Sequence, residues 1–171
     1  KYIYPKNLVL FNHEKLVAPD ISMGGNFAYD VEGKFYQTTT IYGYIKKSET
    51  SESYKFWMAL LNSRLCWWFL TNTGTTLANG FFRFKPDYIK QFPVPEFQLT
   101  SKGEMLVIKL TDFLLYLYDK NNDDILTHTT NKRLATHIEE LIDMIFYELY
   151  FEQHMKDNHI DVISDLNNYE W

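Results

Sequence analysis

Over the first 50 residues apolar and polar positions alternate in short runs, whereas beyond residue 100 the apolar positions recur every three to four residues. The chain therefore opens as strands and closes as helices. Strands are expected at Asn7 to Phe11, Lys15 to Ala18, Phe27 to Asp30, Lys34 to Thr38 and Thr40 to Ile45, all rich in β-branched and aromatic residues. Asn12-His13-Glu14, Gly24-Gly25-Asn26 and Glu32-Gly33 separate them with residues that tolerate positive φ, the last as a tight hairpin. The pattern predicts a twisted mixed sheet. Ser53 is placed to cap a helix from Tyr54 to Thr71 that is apolar almost all round, and Gly74 is expected to end it in the left-handed conformation. A polar loop from Asn72 to Gly80 leads to a short strand, Phe81 to Phe84. Pro86 to Phe92 has room for one helical turn, and Pro93-Val94-Pro95 continues neither element.

Past that point Ser101 and Glu104 form a capping box opening a helix to Asp119, with Leu106, Leu110, Phe113, Leu114 and Leu117 on one face. Leu134, Ile138, Leu141, Ile142, Ile145, Phe146 and Leu149 mark a second amphipathic helix after the polar stretch Asn121 to Thr130, which predicts an antiparallel helical hairpin. Ile160 to Trp171 offers one further helical turn around Ile163 and Leu166. The fold class is thus α+β. A twisted sheet with packed helices occupies 1–95, and an α-helical region over 96–171 packs on it or on a neighbouring domain.

Composition agrees with a packed domain: 171 residues, 46% apolar and 18% aromatic, are enough to bury a core. The opening Lys1-Tyr2-Ile3-Tyr4-Pro5 has no initiator Met and no signal segment, so the chain reads as mature sequence or as a piece of something longer. A single cysteine, Cys66, excludes a disulfide framework and is expected in the core. The most apolar run, Leu65 to Leu70, is far short of the roughly 20 residues a membrane span needs, so a cytoplasmic protein is expected. The net charge of −5 is unevenly spread. Residues 1–95 hold 11 Lys and Arg against 7 Asp and Glu, or +4, and residues 96–171 hold 6 against 15, or −9. A basic, aromatic first half suits a polyanion, which the acidic half would repel.

No phosphate-binding glycine loop, zincin or serine-hydrolase motif is present, and His13, His128, His137, His154 and His159 are not at ligand spacing, so no metal site is expected. Pro19-Asp20 followed by Glu32-Gly33-Lys34 fits the loose pattern of metal-dependent nucleases, in which two carboxylates hold Mg²⁺ and a lysine orients water. The same residues equally suit a solvated hairpin tip. For DNA, Lys34, Gln37, Thr38 and Thr39 lie among Tyr36, Tyr42 and Tyr44, flanked by Lys46 and Lys47, and Gln and Thr suit base edges. Asn72, Thr75, Thr76 and Asn79, followed by Arg83 and Lys85, make a second strip in which cations position phosphates and neutral groups read bases. The alternative is that the threonines merely favour strand and Arg83 pairs with Asp87. The acidic helices also fit a protein-interaction module.

Several strings together resemble a known family: Lys15-Leu16-Val17-Ala18-Pro19-Asp20-Ile21-Ser22, Phe27-Ala28-Tyr29-Asp30, Leu60-Leu61-Asn62-Ser63-Arg64-Leu65 with Trp67-Trp68-Phe69, Phe82-Arg83-Phe84-Lys85, and Ile89-Lys90-Gln91-Phe92-Pro93-Val94-Pro95. Over about residues 7 to 95 they resemble the TaqI-like C-terminal specificity domain. The resemblance implies a target-recognition domain that grips double-stranded DNA behind an N6-adenine methyltransferase domain, in bacterial type II restriction-modification enzymes that join modification, and often cleavage by an endonuclease domain, to one recognition module. This chain lacks the Asn-Pro-Pro-Tyr and glycine-rich motifs of such methyltransferases. The resemblance therefore implies no catalytic residue and no cofactor here, with S-adenosylmethionine held by the methyltransferase domain. Leu60, Leu61, Leu65 and Trp68 are expected in the core, and Asn62 is expected to cap a helix or bond backbone inside the fold.

Overall fold

A computed structural model describes residues 8–37, 39–94 and 101–168. Two three-stranded sheets meet end to end. In the first, β1 (Lys15–Pro19) lies between β3 (Ala28–Asp30) and β4 (Ile41–Tyr44), with Leu16 opposite Tyr29 and Tyr44. In the second, β6 (Phe82–Arg83) lies between β2 (Ile21–Ser22) and β5 (Thr75–Thr76). Asp20 is the joint: its N–H donates to the Thr40 carbonyl (2.8 Å) and its carbonyl accepts from Phe84 N (2.7 Å). The alternating pattern predicts a mixed sheet, yet every strand pairing among the described residues is antiparallel.

Two of the expected strands are replaced by other structure, and both replacements trace to one buried ion pair. Lys15 and Asp30 face each other at the edge of β1 and β3, at 0% and 2% exposure. Lys15 Nζ also donates to the Phe11 carbonyl (2.7 Å), tying down a helical turn, α1 (Leu8–Phe11), where the propensities favour a strand. Asp30 accepts the N–H groups of Lys34 (2.9 Å) and Phe35 (3.0 Å). These are the donors a ladder at 34–38 would need, so residues 34–37 wrap back without pairing, and Thr38 lies outside the described residues. Gly33 takes φ +63°, and a Cβ there would sit 2.4 Å from the Asn12 carbonyl oxygen, so this turn packs on the α1 loop and is not a two-strand hairpin.

The long apolar helix is two helices. Ser53 caps α2 (Tyr54–Asn62), accepting from Phe56 N at 3.1 Å. Ser63 ends α2 and, accepting from Cys66 N (3.2 Å), starts α3 (Arg64–Thr73). Leu60, Leu61, Leu65, Cys66 and Leu70 are buried as expected, and burial pushes the Cys66 thiol up to about 12. Trp68 is not in the core but stands 64% exposed, because Leu65, Cys66 and Leu70 fill the inward face of α3. Gly74 is extended, not left-handed; its N–H donates to the Leu70 carbonyl at 2.7 Å, and a Cβ would lie 2.6 Å from that oxygen. Asn62 bonds backbone as expected: its amide donates to the Phe27 carbonyl (2.9 Å) and accepts from Phe27 N (2.8 Å), locking the loop before β3 onto α2. Asn62→Ala should therefore destabilise the fold by about 2 kcal/mol or more, read from the urea midpoint; a loss within error would mean that water replaces both bonds.

After a short α4 (Pro86–Ile89), α5 (Ser101–Tyr118) and α6 (Asn131–Tyr150) form the expected hairpin. Glu104 accepts from Ser53 N (2.9 Å), joining α5 to the start of α2; the capping box expected between Ser101 and Glu104 depends on the Ser101 side chain, which lies outside the described residues. The hairpin packs α5 on α2 and α6 on α3, with Phe56 against Phe146 at 5.6 Å between ring centres. Two short helices close the chain: α7 (Glu152–Asp157), not anticipated from the sequence, and α8 (Val162–Asn167), at the turn expected between Ile160 and Trp171. Ile163 and Leu166 pack on the core, and Glu148 accepts the first N–H groups of α8. No helix among the described residues is long and apolar enough to cross a membrane.

Candidate nucleic-acid interface

Register decides which residues of the second sheet share a face. Phe82 turns inward, and both it and Phe84 meet the Trp67 ring of α3, at 5.5 and 5.4 Å between centres. The neighbouring row, Ile21, Arg83 and Thr75, is paired in register and lies on the opposite face. Arg83 Nε is 3.5 Å from the Asp20 carboxylate, and no acceptor among the described residues takes its terminal N–H groups. Thr75 shares a hydrogen bond of 2.6 Å with the Tyr88 hydroxyl. Lys85, exposed at the start of α4, has no side-chain partner among the described residues. Tyr42 donates to Asp20 (3.4 Å); burial first, then the Asp20 charge, raises its pKa, so the hydroxyl stays a donor. The Arg83 pairing with Asp87 that the sequence allows is not found; Asp87 lies 3.5 Å from Lys90.

The remaining expected residues are dispersed. Thr76 is exposed on the other face of β5 from Thr75, and Asn79 takes φ 61° at the exposed turn between β5 and β6. Asn72 is exposed, with its amide donating to the Trp68 carbonyl at 2.7 Å. Thr39 is exposed in the turn before Thr40, whose carbonyl meets the Asp20 joint. Lys34 forms an exposed ion pair with Glu32. Gln37, with its amide oriented to satisfy both neighbours, bonds the Phe35 carbonyl and Gly43 N at 3.2 Å each, so it caps the open edge of β4. Sequence alone singles out Arg83, Thr75 and Lys85 but misses Tyr88 and Ile21, and sets Tyr42 beside Gln37 and not beside Asp20, since only strand register reveals their neighbours.

The nuclease pattern is not assembled. Asp20 follows the Pro19 end of β1, whereas Glu32 and Lys34 follow Asp30, which pairs with Lys15 at the other end of that strand. At about 3.3 Å per residue the carboxylates stand more than about 10 Å apart, too far to share one ion.

Much of the positive charge of the first half is answered. Within it Lys15, Lys34, Lys47, Arg83 and Lys90 pair with Asp30, Glu32, Glu49, Asp20 and Asp87. Lys55 and Arg64 reach across to Asp112 and to Glu140 and Asp143 of the acidic half. The cleft of about 480 Å³ beside Arg64 is lined by Glu139 and Asp143 and is a poor site for a polyanion. Among the described residues of the first half, Lys85 has no side-chain partner and Arg83 is engaged only through Nε, at 3.5 Å from Asp20.

The family model for the TaqI-like C-terminal specificity domain matches residues 3–94, over half of the chain. The chain belongs to that family, which places it among the specificity domains of restriction-modification enzymes. A comparison with curated proteins finds no match.

Proposed function

We propose that this chain recognises double-stranded DNA through the outer face of its second sheet, as the specificity domain of a larger restriction-modification enzyme. The observation that carries this reading is that no acceptor among the described residues takes the terminal N–H groups of Arg83, which is in register with Thr75, itself bonded to Tyr88, and lies two residues before the exposed Lys85. Arg83 and Lys85 hold phosphates, while the hydroxyls and the exposed turn around Asn79 reach base edges. Methyl transfer belongs to an N6-adenine methyltransferase domain of the same polypeptide, which binds S-adenosylmethionine. An endonuclease domain, where present, adds cleavage to the same recognition event. The acidic helical region supports the sheet from behind and faces away from DNA.

Titration of labelled duplexes at several salt concentrations tests this reading. Arg83→Ala should weaken binding to every sequence and flatten the slope of log affinity against log salt by about one. An unchanged slope would remove Arg83 from the interface, and no binding to any duplex at low salt would remove the reading itself.

A further inference from the structure

Past its paired positions, the outer face of the second sheet continues as an apolar row. Ile21 pairs with Arg83 and Ser22 with Phe82, and the same register carried one residue further sets Met23 beside Phe81. On the other side of Phe81, Leu77 N donates to its carbonyl at 2.7 Å. Side chains alternate along strands, so the residues one step past the inward Ser22 and Phe82 return to the face of Ile21 and Arg83. Exposure agrees: Ser22 is buried, whereas Ile21, Met23 and Phe81 are exposed, Met23 by 60%. The β5–β6 turn closes the far end of the row. Asn79 and Gly80 take φ 61° and 77° there, and a Cβ on Gly80 would lie 3.8 Å from the Met23 methyl.

Contiguous exposed apolar side chains mark a surface that meets a partner, and the groups around them define which partner. Arg83 is in register with Ile21, its terminal N–H groups have no acceptor among the described residues, and Lys85 is exposed two residues on. An apolar protein surface laid on this row would cover the guanidinium without supplying acceptors, which is costly. Duplex DNA supplies both kinds of contact. Its phosphates and guanine edges accept from Arg83, and the floor of its major groove carries one alkyl group, the 5-methyl of thymine. That groove is wide enough for a two-stranded ribbon such as β5 and β6. We propose that Ile21, Met23 and Phe81 read thymine 5-methyl groups in the major groove, so that the target contains A·T pairs beside the position held by Arg83. This rests on the DNA-recognition reading above and adds to it the class of base pair that is read.

Replacing thymine by uracil removes one methyl and leaves every hydrogen-bonding edge of the base pair in place. Duplexes selected by the full chain from a randomised pool are therefore resynthesised with uracil at each thymine in turn. Fluorescence anisotropy then compares the unaltered chain with Ile21→Ser, Met23→Ser and Phe81→Ser, each checked for folding by far-ultraviolet circular dichroism. At least one uracil should weaken binding about fourfold, the worth of one buried methyl, and one of the three variants should bind the thymine and uracil duplexes equally. A side chain that only supports the fold would weaken both duplexes alike and leave their ratio unchanged. The uracil comparison needs no variant, so it decides the matter even where Phe81→Ser fails to fold. Selected duplexes without a shared A·T pair, equal binding of thymine and uracil at every position, or a ratio retained in all folded variants would overturn the proposal. If binding then still shows the Arg83 dependence given above, the sheet face stands and only its apolar row loses this role. No binding to any duplex of the pool removes the sheet face and the row together.

Discussion

Asp30→Ala is expected to destabilise the chain by about 3–5 kcal/mol, because it leaves the Lys15 ammonium buried beside no counter-charge. Lys15 is 0% exposed, so water cannot replace the carboxylate without opening the α1 turn or the 31–37 segment. The same substitution removes the acceptor for Lys34 N and Phe35 N, which frees the segment that covers the ion pair. Lys15→Met combined with Asp30→Asn removes both charges but keeps an acceptor for only one of the two N–H groups, which bond different oxygens of Asp30, and should recover part of the loss. Urea unfolding of the three proteins measures this; a loss under about 1 kcal/mol for Asp30→Ala would mean that the ammonium finds another partner. The pair also has a pH signature. Burial opposes the Asp30 charge, but the Lys15 ammonium and the two backbone N–H groups outweigh it and hold the carboxyl below its ordinary value. The stability it contributes is therefore complete above the unfolded value of about 4 and is lost as pH falls through the lower folded value. In the Lys15→Met, Asp30→Asn protein this acid-sensitive component should be absent.

Phe56→Ala carries the second large effect, a loss of about 3–5 kcal/mol. Phe56 is fully buried on α2 and meets Phe146 of α6 edge-on, so its ring lies between the sheet-bearing part and the helical hairpin. With Glu104 holding Ser53 N and Arg64 held by Glu140 and Asp143, the cavity should weaken both parts together. Tryptophan fluorescence reports the sheet side through Trp67, and far-ultraviolet circular dichroism reports the helices. Coincident transitions at a lower urea midpoint are expected. Separated transitions would show that the parts before and after residue 95 fold independently.

The helical half was the more legible in sequence, because a period of 3.6 sustained from Leu134 to Leu149 leaves little choice of buried face, and the buried residues Ile138, Ile142, Ile145 and Phe146 follow it. Legibility failed where a side chain competed with the backbone. Asp30 withheld the donors of Lys34 and Phe35 from a ladder, and Ser63 broke a continuous apolar helix by capping in two directions. That break turned Trp68 outward, which no hydrophobicity pattern could show. For the candidate site, Arg83 and Lys85 were visible as charges in a polar strip. Their separation from Lys34 and Gln37 was not, because it depends on the Asp20 joint and on long-range strand register. The net +4 of the first half was likewise a poor guide to its field, since ion pairing can be counted only when side chains have positions.

The Asp20 joint has a consequence for how such a module changes its target. Each strand of the second sheet is only two residues long, and the inward position of its central strand is fixed by Phe82 and Phe84 against Trp67. The outward row can therefore be rewritten almost independently of the scaffold. If the outer face reads DNA as proposed above, a library randomised at positions 21 and 75 should consist mostly of folded proteins that differ in the sequence they prefer.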